Sequence, residues 1–204
     1  MLEILSDQSA TPWAWYLVRA GGLTAFLLLY VSIFLGVAST LPGLRKIFLP
    51  LFNQRVHCWI SLQALIFVLI HALGLLFENY FNFTLSDIFI PLLSPYKPEL
   101  VALGILGFYL MIVLVVTSYI QKYISPRFWR IVHYSNLLLY ALVLIHSFYL
   151  GTDLKSGRLR DIYIFANGIL IFLLVVNIFL KNRENQRKEP EPPAPVQIIP
   201  PPLQ

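Results

Sequence analysis

Long apolar stretches alternate with short polar connections along most of the chain. Five stretches lack Asp, Glu, Lys and Arg altogether, and they run roughly Ala20–Leu41, Cys58–Phe77, Leu100–Gln121, Ile131–Leu150 and Ile162–Leu180. About 20 apolar residues are enough for a helix that crosses the hydrocarbon core of a membrane. The pattern therefore predicts an all-α membrane protein, a bundle of five transmembrane helices. The first helix should begin near Trp13, because tryptophan favours the membrane interface, and Arg19 would then lie more than a turn inside it.

The polar connections divide by charge, and the two kinds alternate along the chain. One side of the predicted bundle receives most of the basic residues: Arg45, Lys46, Arg55, Lys122, Arg127, Arg130, Lys181, Arg183, Arg187 and Lys188. The opposite side receives most of the acidic ones. Lys and Arg favour the cytoplasmic side of a membrane, so the N-terminus is predicted outside and the C-terminus inside. We expect a multi-pass protein of the bacterial inner (plasma) membrane, in contact with membrane lipid.

Composition agrees with a membrane domain and excludes several other classes. Hydrophobic residues make up 58% of the 204 residues and charged residues only 12%, so a soluble domain of this size would have a largely apolar surface. The net charge of +5 does not indicate nucleic-acid binding, because the basic residues lie in short groups between the spans. Cys58 is the only cysteine, which excludes an internal disulfide and a CxxCH attachment of c-type haem.

The segments outside the spans are assigned by composition. Residues 1–12 carry acidic but no basic residues and are predicted to be an external segment rather than a signal peptide. Residues 13–180 form the membrane domain, and the proline-rich residues 181–204 are predicted to be a disordered cytoplasmic tail. In the apolar outer loop 79–99, Ser86 or Asp87 is expected to cap a short helix that Pro91 limits. Two roles fit this loop equally: a cover over a functional site, or an interfacial loop without a part in the chemistry.

All four histidines lie in two of the five spans. His57 and His71 are 14 residues apart in the second span, and His133 and His146 are 13 residues apart in the fourth. These separations correspond to roughly 21 and 20 Å along a helix, which is most of a hydrocarbon core about 30 Å thick. Ionisable groups at such depths are costly and usually functional, although a single histidine is equally well explained as a hydrogen-bonded interior residue.

Histidines paired at matching depths favour metal ligation. His57 with His133 would form a cytoplasmic level, and His71 with His146 an outer level. Neutral imidazole is a good iron ligand and apolar slots between helices suit a haem, whereas zinc would be expected to recruit Cys, Asp or Glu at these depths. The sequence thus predicts two b haems, one above the other, each held by two imidazoles.

The 13-residue spacing requires an irregular helix. On an ideal helix 14 residues return to within about 40° of the same face, whereas 13 residues end about 140° away. A bend, a π-bulge or a crossing of helices is therefore expected to bring both His133 and His146 toward their partners.

Three arginines lie near the predicted levels. Arg55 and Arg130 flank the cytoplasmic level, where they would either bind haem propionates through charge-assisted hydrogen bonds or be ordinary residues of the positive inner side. Arg19 runs against the orientation rule. It would bind a propionate at the outer level or attract an anionic acceptor there.

Several short segments are similar to those of a known family. They are Tyr16–Gly22, Val56-His57, His71, Trp129–Tyr134, His146 and Gly151-Thr152-Asp153. Through these segments, and from about Trp15 to Leu180 overall, the chain resembles the ferric-reductase-like transmembrane domain. Bacterial haem b membrane proteins, yeast-type ferric reductases and NADPH oxidases share this domain. The resemblance implies that His57 and His133 hold the inner haem and that His71 and His146 hold the outer haem. It also implies that Arg19 is a catalytic arginine close to the outer haem, where the acceptor is reduced.

Two departures from the family shape the expected function. Its core is usually described with six helices, whereas five spans are counted here, and no flavin or nicotinamide domain is recognised after the last one. We therefore expect the haem-bearing membrane component of an oxidoreductase. It would carry electrons from a cytoplasmic flavoprotein reductase or quinol to a ferric chelate, dioxygen or a periplasmic redox protein. The alternatives are a haem b subunit serving one periplasmic redox enzyme and a non-catalytic haem-binding sensor or scaffold.

Overall fold

The computed structural model describes residues 13–48, 54–78 and 82–188, and within them the protein contains helices and turns but no strand. The helices are α1 (Trp13–Thr40), α2 (Pro42–Phe48), α3 (Gln54–Gly74), α4 (Leu85–Phe89), α5 (Pro98–Tyr119), α6 (Pro126–Tyr134), α7 (Asn136–Leu150) and α8 (Arg158–Lys188). Short 3₁₀ turns follow α3, α5 and α7, at Leu75–Phe77, Gln121–Tyr123 and Thr152–Leu154.

Five segments of the described chain are long and apolar enough to cross a membrane. They are Trp13–Thr40, Gln54–Phe77, Pro98–Tyr119, Pro126–Leu150 and Arg158–Arg183. Each corresponds to one predicted span, and the fourth is made of α6 and α7 together. The prediction of an all-α membrane bundle is confirmed.

Each histidine-bearing segment is backed by one neighbouring helix. The most extensive helix contacts join α1 to α3 and α5 to α7. The buried centre of the bundle is apolar and takes side chains from five helices: Leu29 of α1, Ala64 of α3, Met111 of α5, Leu139 of α7 and Leu170 of α8 are among them. Large apolar side chains also cover the outward faces, as expected for helices surrounded by lipid. The two histidine-bearing segments therefore face each other across a packed interior.

The fourth span is interrupted at Ser135, between its two histidines. The N–H of Ser135 bonds the carbonyl of Val132 three residues back at 3.1 Å, and the Ser135 hydroxyl donates to the same carbonyl at 2.6 Å. A hydroxyl that bonds back to its own helix in this way commonly bends it. The irregularity that the 13-residue spacing of His133 and His146 demanded is therefore present, as a break between α6 and α7.

The outer loop contains the expected short helix, but its predicted cap is wrong. Thr84, rather than Ser86 or Asp87, precedes α4 as its N-cap. The hydroxyl and the N–H of Thr84 donate to one carboxylate oxygen of Asp87, at 2.6 and 2.8 Å, and lower the pKa of that carboxyl. Asp87, at the third helical position, thus completes a capping box with Thr84. The hydroxyl of Tyr109 in α5 donates to the carbonyl of Phe89 at 2.6 Å and ties this loop to the bundle.

The C-terminal boundary also differs from the expectation. Helix α8 continues past Leu180 to Lys188, so residues 181–188, which composition assigned to a disordered tail, are helical. Residues 189–204, and the predicted external segment 1–12, lie outside the described residues.

Candidate functional site

The four histidines form two facing pairs. The ring centroids of His57 and His133 are 6.3 Å apart, and those of His71 and His146 are 6.4 Å apart. We call them the inner pair and the outer pair, after the predicted orientation. A bond from imidazole nitrogen to a metal is about 2 Å, so two such bonds and two half-rings together span about 6 Å. The measured separations therefore fit one metal atom between the two rings of each pair.

Main-chain carbonyls hold both rings of the outer pair. Nδ1 of His71 lies 2.8 Å from the carbonyl oxygen of Val18 in α1, and Nδ1 of His146 lies 2.8 Å from that of Leu100 in α5. A carbonyl oxygen only accepts, so each Nδ1 must carry the proton and donate. Nε2 is then the unprotonated nitrogen of each ring, which is the state that a metal requires.

Glycines make this close approach possible. A Cβ atom on Gly22 would lie 2.9 Å from Nδ1 of His71, and one on Gly104 would lie 2.5 Å from Cε1 of His146. Both distances are shorter than a carbon side chain tolerates. The outer imidazoles therefore lie directly against the backbones of α1 and α5, where only glycine leaves room.

Side chains, rather than carbonyls, surround the inner pair. Nδ1 of His57 lies 3.2 Å from the hydroxyl oxygen of Ser32, which in turn lies 3.0 Å from that of Ser61. The ring of His133 stacks on the indole of Trp129, with centroids 4.7 Å apart and planes 17° apart. The two pairs thus present similar ring separations with different supporting contacts.

An orphaned polar atom lies beside the inner pair. Nε1 of Trp129 is buried and has no hydrogen-bond partner among the described residues. A buried N–H without an acceptor costs about 1–3 kcal/mol, so an acceptor is expected next to it. A haem carries anionic propionates at its edge, and such a group would satisfy this donor.

A cavity that is partly open to solvent lies beside the inner pair and is lined by both of its rings. Its apolar wall comes from Leu29, Met111, Leu114, Val115 and Leu139, and its polar atoms come mainly from Ser32, Ser61, Ser118 and Asn136. A largely apolar slot that ends on two imidazoles suits a flat macrocycle with iron at its centre. In the described parts of the chain no three His, Cys, Asp or Glu side chains come together as a metal site. The residues fit a bis-imidazole haem.

Arg19 forms an ion pair that the sequence did not predict. Its Nε donates to one carboxylate oxygen of Asp153 at 2.9 Å, and a second N–H of the guanidinium bonds the other oxygen. The guanidinium also lies over the ring of Trp15, 3.9 Å from its centroid. The hydrogen bonds from Arg19 lower the pKa of the Asp153 carboxyl. Arg19 directly follows Val18, the residue whose carbonyl holds His71.

The remaining predicted site residues lie at the same end of the bundle as the inner pair. The described contact of Arg130 is within its own helix, where Nε donates to the carbonyl of Pro126 at 3.2 Å. Arg55 is exposed in the first turn of α3, two residues before His57. Their suggested contact with haem propionates stays a prediction.

Five apolar helices with two facing imidazole pairs define a helical membrane protein with two candidate ligation sites between its helices. The chain belongs to the ferric-reductase-like family: residues 21–145, more than half of the chain, match the ferric reductase like transmembrane component. Domains of this family typically bind haem and support redox chemistry across a membrane. The matched segment includes His57, His71 and His133, ends one residue before His146 and begins after Arg19. Searches of curated proteins and of solved structures gave no match.

Proposed function

We propose that this chain conducts electrons across the membrane through two b haems, one held by the inner histidine pair and one by the outer pair. The observation that carries the proposal is the separation of 6.3 and 6.4 Å between facing imidazoles in a ferric-reductase-like bundle. When bound, a b haem supplies a one-electron couple at its iron, with a potential set by its ligands and surroundings.

The chain's own residues prepare these sites. The carbonyl oxygens of Val18 and Leu100 accept hydrogen bonds from the Nδ1–H groups of the outer pair, which leaves each Nε2 free to ligate. Apolar side chains line most of the inner cavity beside the ligating nitrogens. The indole N–H of Trp129 serves as a donor to an anionic group at the inner level. Arg55 and Arg130 add positive charge at the same end of the bundle, which favours propionate binding there.

The direction of transfer follows from the proposed orientation. Electrons enter at the inner pair from a cytoplasmic flavoprotein or from quinol. They leave at the outer pair to a ferric chelate, dioxygen or a periplasmic redox protein. Arg19 is proposed to act at this outer exit, and its ion pair with Asp153 holds it there.

The test uses the full chain in sealed vesicles, with an impermeant reductant enclosed and an impermeant ferric chelate outside. Replacing His57 or His71 by leucine, which fills space without a new polar group, removes a ligand of one level only. Each variant should bind one b haem instead of two by pyridine haemochrome analysis. Each should also reduce the chelate no faster than vesicles without protein.

Trp59→Leu is the matched control, because Trp59 lies on α3 with the two histidines but is 61% exposed on its outer surface. This variant should keep both haems and the transfer rate. Chelate reduction by His71→Leu at the unmodified rate would contradict an exit through the outer pair. An unmodified protein that contains no haem after expression with ample haem would refute the proposal as a whole.

A further inference from the structure

Ser32 is a buried polar residue in the apolar helix α1. Its exposed fraction is 4%, and its neighbours in the helix are aliphatic or aromatic. A hydroxyl in such surroundings is costly unless it is hydrogen-bonded. Both of its close polar neighbours lie on α3: Nδ1 of His57 at 3.2 Å and the hydroxyl oxygen of Ser61 at 3.0 Å. Ser32 therefore joins α1 to the inner pair through side chains alone.

Metal ligation would fix the direction of these hydrogen bonds. Serine has one proton to donate and can accept others. When Nε2 of His57 ligates, Nδ1 carries the proton and must donate to the oxygen of Ser32. The hydroxyl of Ser32 then donates its own hydrogen bond to the hydroxyl oxygen of Ser61. The same arrangement without ligation leaves two tautomers of His57 available, because a hydroxyl can either donate or accept.

We propose that Ser32 is the positioning residue of the inner level, which holds His57 in the ligating tautomer and sets its strength as an iron ligand. The inference rests on the proposed function. A hydrogen bond from the second ring nitrogen raises the basicity of a ligating imidazole, and such bonds tune the reduction potential of a haem. Ser32 thereby controls the potential of the inner haem separately from that of the outer one.

The contrast with the outer pair makes this control specific. His71 and His146 donate to the carbonyls of Val18 and Leu100, which are part of the helix backbones. No side-chain substitution removes those acceptors. At the inner level the acceptor for His57 is one hydroxyl, so a single substitution removes it while the outer pair keeps both of its bonds.

The experiment compares Ser32→Ala with two other variants of the full chain carrying both haems. Ser118→Ala is the matched control, because Ser118 lines the same cavity but donates to the carbonyl of Leu114 in its own helix at 2.8 Å. Ser32→Thr is the conservative variant, because it keeps a hydroxyl. Redox titration followed by absorbance, together with electron paramagnetic resonance of the oxidised protein, reports each haem. Removing the outer haem with His71→Leu identifies the inner signals.

Ser32→Ala should shift the one-electron equilibrium of the inner haem about tenfold toward the reduced form, which raises its reduction potential by about 59 mV. It should also change the resonance of that haem and leave the outer haem unaltered. Ser32→Thr and Ser118→Ala should leave both potentials close to the unmodified values. Loss of the inner haem in Ser32→Ala, with retention in the other two variants, would support the same role.

An unchanged inner potential and resonance in Ser32→Ala would overturn this inference while leaving the proposed function intact. An equal shift in Ser118→Ala would also overturn it, because cavity volume rather than the hydrogen bond would then be responsible. An unmodified chain without an inner haem would overturn the proposed function and this inference together.

Discussion

At the scale of residues, the imidazoles are held by three kinds of neighbour. The outer two donate to main-chain carbonyls, His57 bonds a serine hydroxyl and His133 lies against an indole ring. A main-chain acceptor is positioned by the helix to which it belongs, so the geometry of the outer pair depends on how tightly the helices pack. The inner pair depends instead on which side chains are present.

Gly104→Ala tests this dependence at the outer pair. The new Cβ would lie 2.5 Å from Cε1 and 2.6 Å from Nδ1 of His146, so the ring must move away from the carbonyl of Leu100. Overpacking of this kind typically costs about 1–3 kcal/mol. We expect a lower thermal stability and loss of the outer haem, measured as haem bound per chain.

Gly36→Ala is the control for Gly104→Ala. Gly36 also lies inside a membrane helix, but a Cβ there would meet no atom within 4 Å. Alanine is favoured over glycine in a helix by up to about 1 kcal/mol, so this variant should be neutral or more stable and should keep both haems. Equal haem loss in the two variants would show that the contact with His146 is not the cause.

Sequence reasoning reached the four histidines but not the groups that support them. Histidine is rare at membrane depth, so two histidines at matching depths on each of two spans indicated the pairs, and the 13-residue spacing required an irregular helix. Serine gives no such signal, because many membrane serines bond their own helix, as Ser118 and Ser147 do here. Nothing in the sequence separates Ser32 from these. The carbonyls that hold the outer pair have no side-chain signature at all.

At the scale of elements, the helix that carries His133 and His146 illustrates what periodicity can and cannot predict. The 13-residue spacing required an irregularity somewhere between the two histidines. Its location at Ser135 depends on a hydroxyl that bonds the carbonyl of Val132, a local choice that spacing does not specify. Helix α8 shows a limit of reasoning from composition, because the helix continues to Lys188 through residues whose composition indicated a tail.

The ion pair of Arg19 with Asp153 connects two elements, the outer end of α1 and the turn after α7. Asp153→Asn removes the charge of the carboxylate and should weaken this connection by about 1 kcal/mol, since both partners are partly exposed. Hydrogen–deuterium exchange should be faster at the outer end of α1. Asp161→Asn, at the exposed start of α8, is the control and should leave that exchange unchanged.

The pH dependence of this connection follows from the pKa of Asp153. The pKa is lowered in the folded protein, chiefly by the hydrogen bond from Arg19, so the ion pair is complete above the ordinary value of 3.8. Its contribution is lost only as pH falls through the lowered pKa. The protection of the outer end of α1, meaning its exchange rate relative to that of an unstructured peptide at the same pH, should therefore be the same from about pH 5 to pH 8. A fall in this protection at neutral pH would contradict a carboxylate that stays ionised beside Arg19.

At the scale of the whole molecule, length and hydropathy were sufficient for the fold class. A membrane span must satisfy its backbone hydrogen bonds internally, so five long apolar stretches leave helices as the natural solution. Which helices pair was not predictable in the same way. The pairing of α1 with α3 and of α5 with α7 depends on small residues at close contacts, such as Gly74 against Val18 and Gly107 against Val143.

The orientation of the molecule decides which way electrons would travel, and it rests on charge alone. Ten of the fifteen basic residues are assigned to the side that carries the inner pair. Lys and Arg are retained in the cytoplasm during insertion, so the C-terminal end of α8 should be cytoplasmic.

Two reporter fusions test this orientation. A reporter of cytoplasmic location fused after Lys188, beyond the observed helix, should be active. A second reporter inserted at Gly157, where a left-handed turn with a φ of 88° lies between α7 and α8, should be active only outside. The two sites flank one span, so they must report opposite sides, and agreement between them would mean that α8 does not cross the membrane. If the reporter at Gly157 were active inside the cell and the one after Lys188 outside, His71 and His146 would lie at the cytoplasmic level and the proposed electron flow would be reversed.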